Sequence, residues 1–398
     1  MLRPRTTASR VTGTGFNILR QWRDRHHVYS RSDCIAARLT CYRSSQRALE
    51  LREAARNQSG RGNELTISVG DGADTPRRLR RRPHEAMQVG VSLRLRSRTR
   101  GRSLGLARLR DKVRVSLLQG SHHLETMLMR WRVRGQPGAQ ETRIIHDLET
   151  EGVHVTTIDQ LLQESAPAIR DALARASALL ASEPARENSA IWARALTSTD
   201  LRAEVLLARA PEVYLLGLER RILQLAQRYL RLPVAYHGAV LRYSRVDGNN
   251  AGPRLWHQDN EDFHVLRMLV YLSDVTPESG PFEYMPRSLD ISYGLFAGDE
   301  SDLTDSRVAA VVPRERWKRC IGAPGTVVLC DTAKVFHHES LQREKDRVVV
   351  MFGYSSRRPR NIRNAMAHFP VERVRSALMQ IVPRENHGHV FGWRRSVP

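Results

Sequence analysis

Two hydrophobic textures follow one another along this chain. Between about residues 105 and 232 the apolar positions recur at helical spacing. A short helix is predicted over Leu117 to Trp131, and an apolar cluster of Ile144, Ile145, Leu148, Val153 and Val155 follows. Thr157 then offers an N-cap for a helix over Ile158 to Glu164. Further helices are predicted over Ala166 to Ser182 and over Glu212 to Leu230, where Leu215, Leu218, Ile222, Leu225 and Tyr229 share one face. From Pro233 onward the period shortens. Runs rich in Val, Ile, Leu, Tyr and Phe, bounded by Gly, Pro, Asp and Ser, predict strands over Gly238 to Tyr243, Leu255 to Gln258, Val265 to Leu272, Pro281 to Met285, Gly325 to Leu329, Lys334 to His337 and Val348 to Tyr354. Helices followed by many short strands predict an α+β chain whose C-terminal half is an all-β barrel or double-sheet roll.

Three segments stand outside this pattern. Residues 287–322 form a long insertion with an acidic knot (Asp299, Glu300, Asp302, Asp305) and then a basic one (Arg314, Arg316, Lys318, Arg319), the texture of a lid or of solvated surface. The tail, 357–398, carries one predicted helix, Val371 to Ile381, and no evident chemistry. The leader, 1–104, has no sustained period, and here composition changes the picture: it holds 23 Arg, no Lys and 8 acidic residues, a net +15 out of the chain's +22. The predicted organisation is therefore an Arg-rich leader (1–104), a mainly helical part (105–232), a β core (233–356) and a tail. The high overall charge describes the leader. A disordered basic arm, an organelle address and an over-extended translation start all fit that segment; its lack of buriable surface favours the first or the last.

Cys34, Cys41, Cys320 and Cys330 make no CxxC pair and no metal-finger spacing, and no stretch approaches the roughly 18 to 20 apolar residues of a membrane span. A reduced, cytoplasmic protein is the simpler expectation. The Arg-rich, acid-poor residues 1–30 would also suit a mitochondrial transit peptide.

The chemistry concentrates in Trp256-His257-Gln258-Asp259, in Phe336-His337-His338 and in Arg347. On an extended segment with a period of two, His257 and Asp259 point to the same face and Gln258 away from it. A distant histidine would complete a 2-His-1-carboxylate facial triad, which leaves coordination positions of a non-haem Fe(II) open. His337 is the better candidate because Arg347 stands ten residues beyond it, and His338 then faces the opposite side. The distal carboxylate of a 2-oxoglutarate chelating that iron needs a permanently charged, fork-shaped partner, and Arg347 at the start of an apolar strand suits it.

Leu255 to Asp259, Val265 to Val275, Glu278-Ser-Gly-Pro281, Met285-Pro-Arg-Ser288, Gly325 to Asp331, Phe336-His337 and Arg347 to Tyr354 together resemble the phytanoyl-CoA dioxygenase family of Fe(II)/2-oxoglutarate oxygenases. The resemblance covers about residues 235 to 356. It implies a double-stranded β-helix (jelly roll, cupin-like) braced by N-terminal helices, with iron on His257, Asp259 and His337, and with 2-oxoglutarate on Arg347. The position two beyond the arginine, often a small hydroxyl residue in the family, is Val349 here, and Tyr243 is the candidate for the second contact. The implied reaction consumes O₂ and 2-oxoglutarate, releases succinate and CO₂, and hydroxylates or desaturates a small-molecule substrate. An intact Asp259 argues against halogenation, which needs that position for chloride. Trp256, Phe263, His264, Arg267 and Glu283 are the candidate substrate lining, and favour a polar small molecule. Two other classes fit parts of the chain: a cupin-like metal barrel without oxygenase activity, and a nucleic-acid binder that uses the Arg-rich leader. The scarcity of aromatic residues among those arginines speaks against the second.

Overall fold

The computed structural model describes residues 93–129, 136–182, 192–194, 197–296 and 303–394. They fall into two compact units, one within residues 41–125 and one beginning at residue 126. The described part of the first is the greater share of a single helix, Leu93–Met129. That helix runs through the boundary expected near residue 104 and replaces the short helix expected from Leu117. Arg, Leu and Ser sustain a helix without an apolar stripe, so the sequence shows no period there. The leader before residue 93, with Cys34 and Cys41, lies outside the described residues.

The second unit is built on two antiparallel sheets. The larger contains β1 (Val153–Thr157), β2 (Trp192–Arg194), β3 (Thr199–Leu201), β4 (Val234–Ser244), β5 (Leu266–Tyr271), β8 (Thr326–Asp331) and β10 (Arg347–Ser356), in the order β1-β8-β5-β10-β4-β3-β2. The smaller is β7 (Lys318–Cys320), β6 (Phe282–Tyr284) and β9 (His337–Glu339), in the order β7-β6-β9. Leu269, Tyr271, Val328 and Val349 from the first meet Phe282, Tyr284 and Cys320 from the second in one buried cluster, so the core lies between the sheets. Every strand pair among the described residues is antiparallel, which agrees with an α+β chain, and most join strands far apart in sequence.

The region expected to be mainly helical therefore contributes three strands to the larger sheet. Two of its helices follow the sequence closely, while Ala139–Thr150, over part of the expected apolar cluster, and Ala203–Arg209 carried no expectation. Thr157 caps Ile158–Leu162 by accepting from the Gln160 amide, and Ala166–Ser182 has the expected bounds. The helix expected over Glu212 to Leu230 is two, Pro211–Leu216 and Arg220–Leu230. The interruption has a packing cause. A Cβ on Gly217 would lie 2.3 Å from the Tyr236 hydroxyl oxygen, and the Gly217 carbonyl accepts from the Tyr354 hydroxyl at 2.9 Å. Glu219 then restarts the helix, its carboxylate accepting from the Arg221 and Ile222 amides.

Two other expectations shift. The insertion packs Phe296, Leu303, Val308, Val312 and Trp317 around Trp256 and Phe336 as a second core; of its acidic knot, only Asp305 lies among the described residues. The described part of the tail holds three short α-helices, Ile362–Ala367, Arg375–Ile381 and His387–Val390, and the 3-10 turn Arg384–Asn386. Trp393 and Ala365 pack there on Ala235 of β4. No helix among the described residues is long and apolar enough to cross a membrane.

Candidate metal centre

His257 lies just after the short 3-10 turn Gly252–Arg254, on a segment that makes one antiparallel bridge in place of the strand expected over Leu255 to Gln258. The bridge is reciprocal: the His257 amide donates to the His337 carbonyl and the His337 amide to the His257 carbonyl, both at 3.0 Å. Two residues on, the Asp259 amide donates to the Thr332 carbonyl at 2.9 Å. These backbone bonds bring together two segments far apart in the chain, and the period of two aims His257 and Asp259 the same way.

The side chains of His257, Asp259 and His337 converge, with one ligand atom from each lying within 4.8 Å of the others. His257 Nδ1 donates to the Leu255 carbonyl at 2.7 Å, and His337 Nδ1 to the Val335 carbonyl at 3.1 Å. Each imidazole is thereby fixed with Nε2 as its open lone pair, the arrangement that ligating histidines adopt. Of the Asp259 oxygens, Oδ2 accepts from the Thr332 hydroxyl at 2.6 Å and from Arg267 Nε at 3.1 Å. Oδ1 is left facing His257 Nε2 at 3.8 Å.

The electrostatics match this geometry. Burial would raise the Asp259 carboxyl, but the Arg267 guanidinium, the two imidazoles and the Thr332 hydroxyl outweigh it and hold it far below the usual carboxylate range. Burial, reinforced by His257, pushes His337 down to about 3. A divalent cation needs an ionised carboxylate and neutral imidazoles. Two nitrogen donors and one oxygen donor, with the remaining directions open, fit Fe(II) by donor chemistry.

Arg347 lies 2 % exposed at the start of β10, with Nη1 donating to the Gly280 carbonyl at 2.5 Å and Nη2 paired with Glu339. Its Nε is buried and has no hydrogen-bond partner among the described residues. Gly280 has φ of +69°, and a Cβ there would lie 2.4 Å from Gln342 Nε2. Only glycine lets that carbonyl approach the arginine. Glu339 is on the same face of β9 as His337, two residues further along, so Arg347 sits on the side of the metal cluster. Its carboxylate also accepts from the Ser244 hydroxyl and from Gln342 Nε2 at 3.1 Å.

Several expected lining residues face elsewhere. Tyr243 pairs with Val348 while Arg347 pairs with Ser244, so Tyr243 is on the opposite face of β4 and its hydroxyl donates to Asp346. It does not supply a second contact beside Arg347. Trp256 is core: it stacks on the His338 ring at 4.0 Å, meets Trp317 at 4.7 Å and donates to Asp305 at 2.9 Å. Glu283 is 2 % exposed, and accepts from Arg319 Nε at 2.8 Å and from His338 Nε2 at 2.9 Å. His338 also donates from Nδ1 to the Arg254 carbonyl at 3.0 Å, on the face of β9 away from the triad. His264 is held at 2.6 Å by Asp331, which also takes the Tyr229 hydroxyl at 2.6 Å. Arg267 does reach the triad, but from behind, bridging Asp259 and Glu261. Phe263 is half-buried, with its amide on the Asp262 side chain at 2.9 Å.

Three residues of this site carried no expectation: Thr332, Glu339 and His368. Glu339 was findable, since a strand that offers His337 offers the second residue after it to the same space. His368 comes from the tail, where its Nε2 meets Glu261 and lies 2.7 Å from Arg267 Nη2, and no sequence pattern ties it to Arg267.

No protein-family model and no curated protein sequence matches the chain. Among solved structures it is similar to EctD from S. alaskensis with 2-oxoglutarate and 5-hydroxyectoine (20% identity, TM-score 0.37, covering 55% of this chain and 76% of that one). It is likewise similar to HygX from Streptomyces hygroscopicus with nickel and 2-oxoglutarate bound (17%, 0.38, 56% and 88%). A third is the non-heme alpha ketoglutarate dependent carbocyclase SnoK from nogalamycin biosynthesis (19%, 0.39, 56% and 89%). At TM-scores of 0.37 to 0.39 these likenesses assign neither fold nor activity to the chain.

Proposed function

We propose that the protein is an Fe(II)/2-oxoglutarate-dependent oxygenase of the phytanoyl-CoA dioxygenase type, built on a double-stranded β-helix, that hydroxylates or desaturates a small molecule. The observation that carries this reading is the convergence of His257, Asp259 and His337, each with its non-ligating atom already hydrogen-bonded and its ligating atom open. Such prior orientation is what a functional metal site requires. His257, Asp259 and His337 would hold the iron, and Arg347 would face the distal carboxylate of the co-substrate. Iron with 2-oxoglutarate and O₂ supplies the oxidising power and yields succinate and CO₂; the protein's share is orientation and exclusion of water. Thr332 and Arg267 keep Asp259 turned toward the metal. The apolar walls Phe282, Leu269 and Val349 keep the interior dry. With Trp256, His264 and Glu283 engaged elsewhere and Arg267 behind Asp259, these residues no longer support a preference for a polar substrate, and the reading stops at a small molecule.

Anaerobic addition of Fe(II) and 2-oxoglutarate should produce the weak visible metal-to-ligand charge-transfer band. His257→Ala should abolish it and Arg347→Ala should weaken 2-oxoglutarate binding. A wild-type protein that binds Fe(II) yet gives neither the band nor succinate would overturn the reading. The Glu339–Arg347 ion pair favours one rival, a cupin-like metal barrel without oxygenase activity, and that outcome would select it.

A further inference from the structure

Arg347 already holds a carboxylate, and it belongs to the chain. Glu339 Oε1 is the common acceptor of Arg347 Nη2, the Ser244 hydroxyl and Gln342 Nε2, and both charged side chains are almost fully buried. Among the described residues two further arginines bear on Glu339, each already paired: Arg242, bidentate on Asp200 at 2.8 and 2.9 Å, and the buried Arg254, paired with Asp247. The six charges cancel. A dicarboxylate entering with its 2-oxo acid end toward the triad would bring a further negative charge to a corner with no net positive charge, and a buried carboxylate without its own counter-charge is strongly disfavoured. Two buried polar atoms at this corner have no partner among the described residues, the donor Arg347 Nε and the acceptor Gln342 Oε1, and an uncharged polar group can meet them without adding charge.

We propose that Glu339 is a specificity-determining residue of the co-substrate subsite: by filling the fork of Arg347 it weakens 2-oxoglutarate and favours a 2-oxo acid whose distal end is uncharged. This rests on the reading of Arg347 as the residue that faces the co-substrate's distal end. The residue that would otherwise release Arg347 is one methylene or one charge away, because glutamine keeps the shape of Glu339 and removes its charge, and aspartate withdraws the carboxylate.

The test is calorimetric and uses full-length protein loaded with Ni(II), so that binding is read without turnover. Ni(II) is titrated first, alone, to establish an occupied triad. 2-Oxoglutarate and its C5 methyl ester, which keeps a distal carbonyl acceptor without the charge, are then titrated into wild type, Glu339→Gln and Glu339→Asp. The wild type should bind the ester at least as tightly as 2-oxoglutarate. Glu339→Gln should tighten 2-oxoglutarate by about tenfold or more, the change expected when a competing buried charge is removed, and leave the ester within about threefold. Glu339→Asp should move in the same direction by less, and carries the test if the glutamine variant does not fold. Unchanged or weaker 2-oxoglutarate binding in both variants would overturn the proposal while leaving the oxygenase reading intact. Failure of all Ni(II)-loaded proteins to bind either compound would overturn both.

Discussion

Thr332→Val removes one hydroxyl and keeps the shape of a side chain that is 2 % exposed. That hydroxyl donates to Asp259 Oδ2 at 2.6 Å, a short bond to an ionised acceptor, and its net worth is about 1.5 to 3 kcal/mol. The bond exists with or without metal, so only part of it appears in metal affinity, as the freedom Asp259 gains to turn Oδ1 away. Loss of a hydrogen bond behind a metal ligand costs about 10- to 100-fold in affinity. Arg267 Nε remains on the same oxygen at 3.1 Å, which puts the expected loss at the low end, about tenfold or 1.4 kcal/mol. Anaerobic calorimetry with Fe(II) on the full-length protein measures it, with Thr332→Ser as the control that restores the hydroxyl. If Thr332→Val binds iron like wild type, or if the serine variant is as weak as the valine one, the hydroxyl does not orient Asp259 and the argument fails.

His338→Ala should leave Fe(II) affinity within about twofold of wild type while lowering stability by about 1 to 3 kcal/mol, because it strips a buried partner from Glu283; His337→Ala should abolish metal binding, and the reverse ranking would reverse the assignment of the two faces. Burial, with Arg267 and His368 nearby, holds His237 well below the ordinary histidine value. As pH falls through about 6.5 the unfolded chain takes up a proton that the folded chain refuses, so this share of stability is present above that pH and lost below it. Between pH 7 and 5.5, urea titrations should show a loss about 1 kcal/mol larger in wild type than in His237→Asn, and equal losses would contradict it. Gly217→Ala places a methyl 2.3 Å from the Tyr236 hydroxyl oxygen and should cost about 1 to 3 kcal/mol of overpacking, read as a lower melting temperature; an unchanged one would mean that the two helices on either side simply spread.

How far the sequence led depended on whether a signal was local. The Thr157 cap, the Ala166–Ser182 helix and the spacing of β5, β8 and β10 follow from periodicity and turn residues, and the structure returns them nearly unchanged. His257, Asp259 and His337 were legible because strand alternation and one distant arginine constrain them together, and the chain does bring them within reach of one ion. The lining residues failed for a common reason. Proximity in sequence to a ligand does not say which face a side chain takes, and Trp256 and Glu283 were drawn away by partners, the buried His338 ring and the exposed Arg319, that only the tertiary structure supplies. Strands β1 to β3 were missed because three to five residues are too few to show a period; β1 and β3 form on the longer β8 and β4, and β2 on β3.

Two imidazoles side by side on β9 leave the metal indifferent to sequence frame. A slip of one residue would deliver His338 in place of His337 with the same nitrogen, so the cation cannot by itself reject the error. What rejects it is the position two residues ahead. In the slipped frame Ser340 would meet Ser244, Glu339 would take the buried place of His338 against Glu283, and Arg347 would be buried without a counter-charge, at about 3 to 5 kcal/mol. The carboxylate proposed to oppose a dicarboxylic co-substrate thus also fixes which histidine of the pair reaches the metal side, through the strand frame that its own partners impose.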